Sequence, residues 1–337
     1  MSDLVIRSHV AGASAHGEVV AVDIGGTHAR FALAEVREGR VLQLGAACTL
    51  KTAEHESLEV AWRVFAREAG RPLLRAAAIA FAGPVQGEML KLTNNGWIVR
   101  PDRLKEEIGV ERLLLINDFG AVGHAVAQLG EEHFRHLCGP EALLPDEGVI
   151  SIVGPGTGLG VAMLRRHPRG YEVIETEGGH IDFAPIDSID DEILAFLRKR
   201  FGRVSVERLA SGSGLRNIHD ALAEREGQST AIVDDKALWA AALNSSDRLA
   251  SVALERFFFT LGSVAGDVAL VQGAKAVVIA GGLGLRLADR LGSSGFAGCF
   301  VAKGRFQSMM ETMPVKILTH EQPGLFGAAA AFAKCIA

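Results

Sequence analysis

One pattern occurs twice in this chain, and it limits the possible folds more than any other feature. VVAVDIGGTHARFALAE, beginning at Val19, aligns with VISIVGPGTGLGVAMLR, beginning at Val149, so that Gly26-Thr27 falls on Gly156-Thr157, 130 residues further on. Each copy is an apolar run, a glycine turn and a second apolar run, which reads as two strands joined by a tight connection. Two related half-folds, each presenting a glycine turn, imply a cleft that grips one phosphate chain from both sides. Glycine hairpins are common, so the similarity by itself fits two unrelated hairpins as well.

The rest of the chain alternates strand-like and helical runs, which predicts an α/β architecture. A helix is expected over 54–69, then the strand AAIAFAGPV from Ala77, the polar turn TNNGW at 93–97 and a short helix opening with Pro101. The apolar strand Leu113 to Asn117 feeds into DFGAVGHAVAQL and is expected to lead from one domain into the other. DSIDDEILAFLRKRFG has acids at its start and Arg198, Lys199 and Arg200 at its end, the order a helix macrodipole favours. Helices follow at 235–244 and 247–271, and AVVIAGGLGLRLADRL from Ala276 returns to strand, Gly-Gly turn and helix. At 337 residues the chain is long enough for about two domains.

Composition narrows the function classes. With 48% hydrophobic and 22% charged residues the chain is globular rather than disordered. Lys and Arg number 35 against 40 Asp and Glu, a balance of −5 that offers no cationic field, so neither nucleic acid nor a membrane is expected as a partner. The four cysteines form no CxxC and no zinc spacing, which points to the cytoplasm and to no structural metal. The first 17 residues read as a loose arm, too short for a DNA-reading helix-turn-helix. The longest late apolar stretch, LFGAAAAFA from Leu325, is far below the roughly 20 residues of a membrane span.

Several motifs carry chemistry. In DIGGT, Asp23 to Thr27, the glycines bring backbone N–H groups close to an anion and are expected at positive φ, while Thr27 adds a hydroxyl. Asp23 would repel bare phosphate, so it fits beside Mg²⁺, or else it is a solvated turn residue. GPGTGLG, 154–160, is a second such turn. It misses GxGxxG because Leu159 and Val161 stand where a third glycine belongs, and neither a P-loop nor the protein-kinase set is present. Asp118, ending a strand with Asn117, is either a base for a substrate hydroxyl or a helix N-cap. Glu177, His180 and Glu207 suit a polyhydroxyl ligand, or are turn and surface residues. AGGLG, 280–284, either seats an adenine ring or simply joins strand to helix.

As an ordered set, DIGGTHAR, AFAGPV, TNNGW, INDF, GPGTGLG, EGGHIDFAP, RVSVERLASGSGL, IAGGL and PGLFGAA resemble the bacterial glucokinases of the ATP-dependent hexokinase superfamily, from about Val19 to the C-terminus. The resemblance implies a two-domain actin-like ATPase fold, a duplicated ribonuclease H-like α/β fold with an interdomain cleft. Residues 18–128 with 322–337 would form the small domain and 129–321 the large one. It implies glucose and ATP as substrates, Mg²⁺ as cofactor, and allows a homodimer. By position Asp118 is the general base for the sugar 6-hydroxyl, and Asn95, Asn117, Glu177, His180 and Glu207 match sugar-binding positions. Gly25, Gly26 and Thr27 match the first phosphate motif, Gly156, Thr157 and Gly158 the second, and Gly281 and Gly282 the adenosine motif. Where the family often carries Asn beside the first turn, this chain has His28. The cysteine-rich zinc segment of the related ROK kinases and repressors is absent after His180, so no zinc is expected. A kinase for another hexose and a non-catalytic sugar sensor are the rival readings.

Overall fold

Successive residues of the first apolar run are buried on opposite sides of one sheet. Val20, Val22 and Ile24 belong to one core and Val19 and Ala21 to another, all fully buried, as the two-residue period of a strand requires when both faces are covered. This strand, β1 (His16–Ile24), turns through Gly25–Thr27 into β2 (His28–Arg37), which pairs with both β3 (Arg40–Leu44) and β4 (Cys48–Lys51). The computed structural model describes residues 16–70, 72, 74–83, 87–91, 96–228, 232 and 234–337; most of the expected arm and Asn95 of the TNNGW loop lie outside them.

On one face of the sheet lies α1 (Leu58–Glu68), started by Ser57, whose side chain accepts from the Val60 N–H. Its Trp62 and Phe65 pack on Phe31, with the Phe31 and Phe65 rings stacked at 5.3 Å. β5 (Ala76–Phe81) runs parallel to β1. A ribbon of β6 (Leu90–Lys91) and β7 (Ile98–Val99) and the Pro-led α2 (Pro101–Glu107) precede β8 (Arg112–Asn117) and α3 (Asp118–Gln128). The opposite face takes α3 and the C-terminal helix, Pro323–Ile336. There the sheet offers Ala21, Ala32, Ala34 and Ala78 and the C-terminal helix offers Ala328, Ala329 and Ala331, so small side chains on both sides permit close approach.

The strand expected to lead into the second domain does not. β8 is the parallel edge strand of the first sheet, paired with β5 from Ala76↔Arg112 to Phe81↔Asn117. Its hydrogen bonds hold it in the first unit, which runs to Leu129 and is rejoined by His320–Ala337; Gly130–Thr319 form the second unit.

The second unit contains β9 (Phe134–Cys138), β10 (Gly148–Pro155), β11 (Leu159–His167), β12 (Gly170–Thr176), β13 (Ala274–Ile279) and β14 (Val315–Leu318). Its principal helices are α4 (Ser188–Phe201), α5 (Gly214–Arg225), α6 (Asp235–Asn244) and α7 (Arg248–Gln272), with α8 (Gly281–Arg286) after β13. The order β12-β11-β10-β13-β14 repeats β3-β2-β1-β5-β8 strand for strand, two antiparallel pairs and then two parallel ones. The half-fold is duplicated. The turns differ by one residue: Ile24 pairs with Ala29, five on, but Gly154 pairs with Gly160, six on, so the gapless alignment slips after the turn.

Among the described residues α7 is the helix long and apolar enough to cross a membrane, with mean hydropathy 1.2 in its most apolar stretch. It exceeds LFGAAAAFA, and sequence reading passed over it because Glu255 and Arg256 interrupt the run. Of that stretch 72% is buried, and Phe257, Phe258 and Leu261 pack in the core of the second unit, which accounts for its composition.

Candidate active site

In the first unit Ile24 pairs with Phe81 and Phe81 with Asn117, so β1, β5 and β8 end level with one another. The Gly25–Thr27 turn, Gly83 and Asn117-Asp118 therefore share one edge of the sheet, the carboxyl edge at which open α/β sheets hold ligands. Asn117 is the N-cap of α3: its Oδ1 accepts from the N–H of Phe119 at 2.8 Å and of Gly120 at 3.1 Å, and its Nδ2 donates to the Gly83 carbonyl at 3.1 Å. Asp118 is thus the first helical residue and not the cap, with Oδ1 accepting from the Phe119 N–H at 2.8 Å. The amide fixes where the carboxylate stands.

Asp23 faces Arg30 directly across the hairpin, and Arg30 Nη1 lies 3.3 Å from its Oδ2. Burial raises the Asp23 pKa, and the Arg30 charge and hydrogen bond pull against that rise. The N-terminal turn of the C-terminal helix passes beside this carboxylate, where a Cβ on Gly324 would stand 2.7 Å from Asp23 Cγ. Glycine there is what leaves the carboxylate its place. The adjacent turn is pinned through its carbonyls, with the Thr52 N–H donating to Thr27 O at 3.0 Å and the Thr52 hydroxyl to Gly26 O at 3.2 Å. Positive φ was expected at the turn glycines, but Gly25, Gly156 and Gly158 lie outside that region; Gly83, at +126°, and Gly281, at +81°, occupy it. Tight hairpin pairing, not left-handed backbone, shapes both turns: Gly25 N–H donates to His28 O at 2.9 Å and Gly156 N–H to Gly158 O at 2.8 Å.

In the second unit several motifs converge on the 156–158 turn. Glu207 Oε2 accepts from the Leu159 N–H at 3.0 Å, in the space that a side chain on Gly158 would fill. The Gly212 N–H donates to Gly156 O at 2.7 Å, bringing in the loop of RVSVERLASGSGL. A Cβ on Gly281 would come within 2.8 Å of Pro155 O, so AGGL sits against the same turn. EGGHIDF and SVERL run side by side, with Phe183 N–H donating to Val204 O at 3.0 Å and Val206 N–H to Ile181 O at 2.9 Å. Gly179 packs on the Leu159 carbonyl so closely that any Cβ would overlap it. Glu177 and His180 lie side by side and exposed, Oε2 to Nε2 3.9 Å.

Three participants escaped sequence reading. Arg30 was legible in principle, because a hairpin tight over 25–28 sets it opposite Asp23. Gly212 and Gly324 fall within motifs visible in the sequence, but their roles are not legible there, since their partners Gly156 and Asp23 are remote in sequence.

The sequence profile of the Glucokinase family matches residues 20–335. The chain belongs to the glucokinase family. It is 60% identical to the glucokinase of Zymomonas mobilis over 316 residues, 94% of this chain and 98% of that one. It is 39% identical to the glucokinase of Marinobacter nauticus, covering 92% of this chain and 95% of that one. The crystal structure of a glucokinase from an Antarctic psychrotroph matches with a TM-score of 0.80 at 31% identity, over 93% of this chain and 98% of that one. The duplicated strand order is the actin-like ATPase fold that such glucokinases imply.

Proposed function

We propose that the chain acts as the glucokinase its family membership implies, moving the γ-phosphoryl group of ATP to the 6-hydroxyl of glucose to give glucose 6-phosphate and ADP. The observation that supports this most is the level ending of β1, β5 and β8, which puts a glycine turn and a strand-end carboxylate on one sheet edge. Asp118 accepts the proton of the 6-hydroxyl as it attacks, and Asn117, held as the helix cap, keeps that carboxylate in place. Glu177, His180 and Glu207 hold the sugar hydroxyls; Asn95, expected from the resemblance to bind sugar as well, lies outside the described residues. The turn of Gly25, Gly26 and Thr27 takes one part of the phosphate chain and that of Gly156, Thr157 and Gly158 the other, through two hydroxyls and the backbone N–H groups other than those of Gly25 and Gly156, which close the turns themselves. Gly281 and Gly282 bare their backbone to adenosine.

The residues present fit Mg²⁺. Among the described residues no three His, Cys, Asp or Glu gather as a metal cage, so a metal here is held by one carboxylate, water and the substrate's phosphates, a ligand set that suits Mg²⁺. Asp23, given room by Gly324, is that carboxylate. Bound there, Mg²⁺ neutralises charge on the phosphate oxygens. The proposed base belongs to the first unit, and the carboxylates proposed to hold sugar belong to the second.

A coupled assay of ADP release across a panel of hexoses tests the proposal. Glucose should stimulate release most. No stimulation by any hexose would turn the reading into that of a sugar sensor.

A further inference from the structure

His28 follows the first phosphate turn, and its Nδ1 lies 3.0 Å from Thr27 Oγ1. A hydroxyl has one hydrogen to give. When the imidazole presents an unprotonated Nδ1, the Thr27 O–H is spent on that lone pair. When Nδ1 carries a proton, the ring donates to Oγ1 and the hydroxyl hydrogen is released to point elsewhere. We infer that His28 is a positioning residue that sets the direction of the Thr27 hydroxyl, and so switches one hydrogen bond from this turn to a nucleotide phosphate on or off. The inference rests on the proposed reading of Gly25–Thr27 as a phosphate turn.

The geometry makes this coupling direct. Thr27 is exposed, and the carbonyls of Gly26 and Thr27 are tied back to Thr52, which holds the backbone of the turn and keeps Thr27 beside His28. Two cationic neighbours along the strands are already engaged. Lys51, directly across the β2–β4 pair, is held by Glu54 at 2.9 Å, and Arg30, two residues along β2, is held by Asp23 at 3.3 Å. Protonation both frees the Thr27 hydrogen and adds a positive charge beside the turn, so phosphate affinity should be higher on the acid side.

The test is calorimetric titration of the full chain with AMPPNP and saturating Mg²⁺ between pH 5.5 and 8.5, comparing wild type, His28→Asn and Thr27→Val. The terminal phosphate of the probe titrates in the same window, so the quantity that matters is the ratio of wild-type to variant affinity at each pH. The wild type should gain about tenfold over His28→Asn in going to the acid end, the size of one hydrogen bond to a charged group. Thr27→Val should bind more weakly, and adding His28→Asn to it should then change the pH profile little, because the effect passes through the hydroxyl. The KM for MgATP should carry the same pH dependence while the KM for glucose does not. A wild-type to His28→Asn ratio that stays constant with pH would overturn the inference and leave the kinase reading standing. Failure of the probe to bind at any pH would overturn both.

Discussion

The two halves of the molecule share a strand order but not a chemistry. The first turn carries an acid and a base around it, Asp23 opposite Arg30, and ends its third parallel strand in Asn117-Asp118. The second has Val153 opposite Val161 at the corresponding place and ends its third parallel strand in Leu318-Thr319. Its polar groups come instead from insertions: Glu177 and His180 after β12, Glu207 and Gly212 from the segment before α5. Duplication thus preserves the glycine turn, for which the proposed phosphate contact needs mainly backbone. The groups proposed to move a proton or hold a metal lie on one copy, and those proposed to hold sugar lie mostly on the other.

The comparison breaks most visibly at the strand ends. Asp118→Asn keeps the shape but cannot take a proton, so kcat should fall by about 10²- to 10⁴-fold while glucose binding measured by calorimetry persists. The topologically equivalent Thr319→Val should leave kcat nearly unchanged. Loss of similar size in both, or in neither, would remove the assignment of the base to the first half.

Glycines separate fold from ligand in the same way. Gly179→Ala drives a methyl into the Leu159 carbonyl and should cost about 1–3 kcal/mol, seen as a lower denaturation midpoint. Gly156→Ala meets nothing within 4 Å, so its stability should hold while nucleotide affinity drops. If Gly156→Ala unfolded the protein and bound nucleotide normally, the turn would be structural only.

Acid should expose another difference. His124 on α3, buried near Lys334 of the C-terminal helix, has its pKa depressed to about 3, by burial first and then by the Lys334 charge. The unfolded chain takes up that proton near pH 6.5 and the folded one resists it, so this contribution is complete above 6.5 and declines as pH falls toward 3. By pH 5 the loss should approach about 2 kcal/mol. Chemical denaturation at pH 5 and 7.5 should show a smaller difference for His124→Gln than for wild type, with the first unit the source of the change.

The strands and turns of both halves are legible because alternating burial and glycine spacing are local. Pro101 at the start of α2 and Asp187 capping α4 are legible for the same reason. The allegiance of β8 is not, since an apolar strand with helix on its heels reads alike whether it crosses between units or pairs within one. Its six-residue pairing with β5 is settled only by hydrogen bonding between segments far apart in sequence. In the site, the motifs are visible one by one, but their grouping is not. That Glu207 closes on Leu159 and that Gly324 makes room for Asp23 depend on loops of 48 and 301 residues returning to the same place.

The smallest expected effect is the most specific to that last contact. Asp23→Asn removes the proposed metal ligand and should raise the Mg²⁺ concentration for half-maximal activity, whereas Val153→Ala at the matching position should not. Gly324→Ala leaves Asp23 chemically intact but puts a methyl 2.7 Å from its Cγ, so the flexible carboxylate, rather than the backbone, must shift. A displacement of this kind should raise the Mg²⁺ requirement by a few-fold, less than Asp23→Asn, with little loss of stability. Asp23→Asn and Gly324→Ala should not add when combined, because the glycine matters only through the carboxylate. Additive effects, or a Mg²⁺ requirement unmoved by Gly324→Ala while the denaturation midpoint falls, would make Gly324 a packing residue and separate the C-terminal helix from the metal.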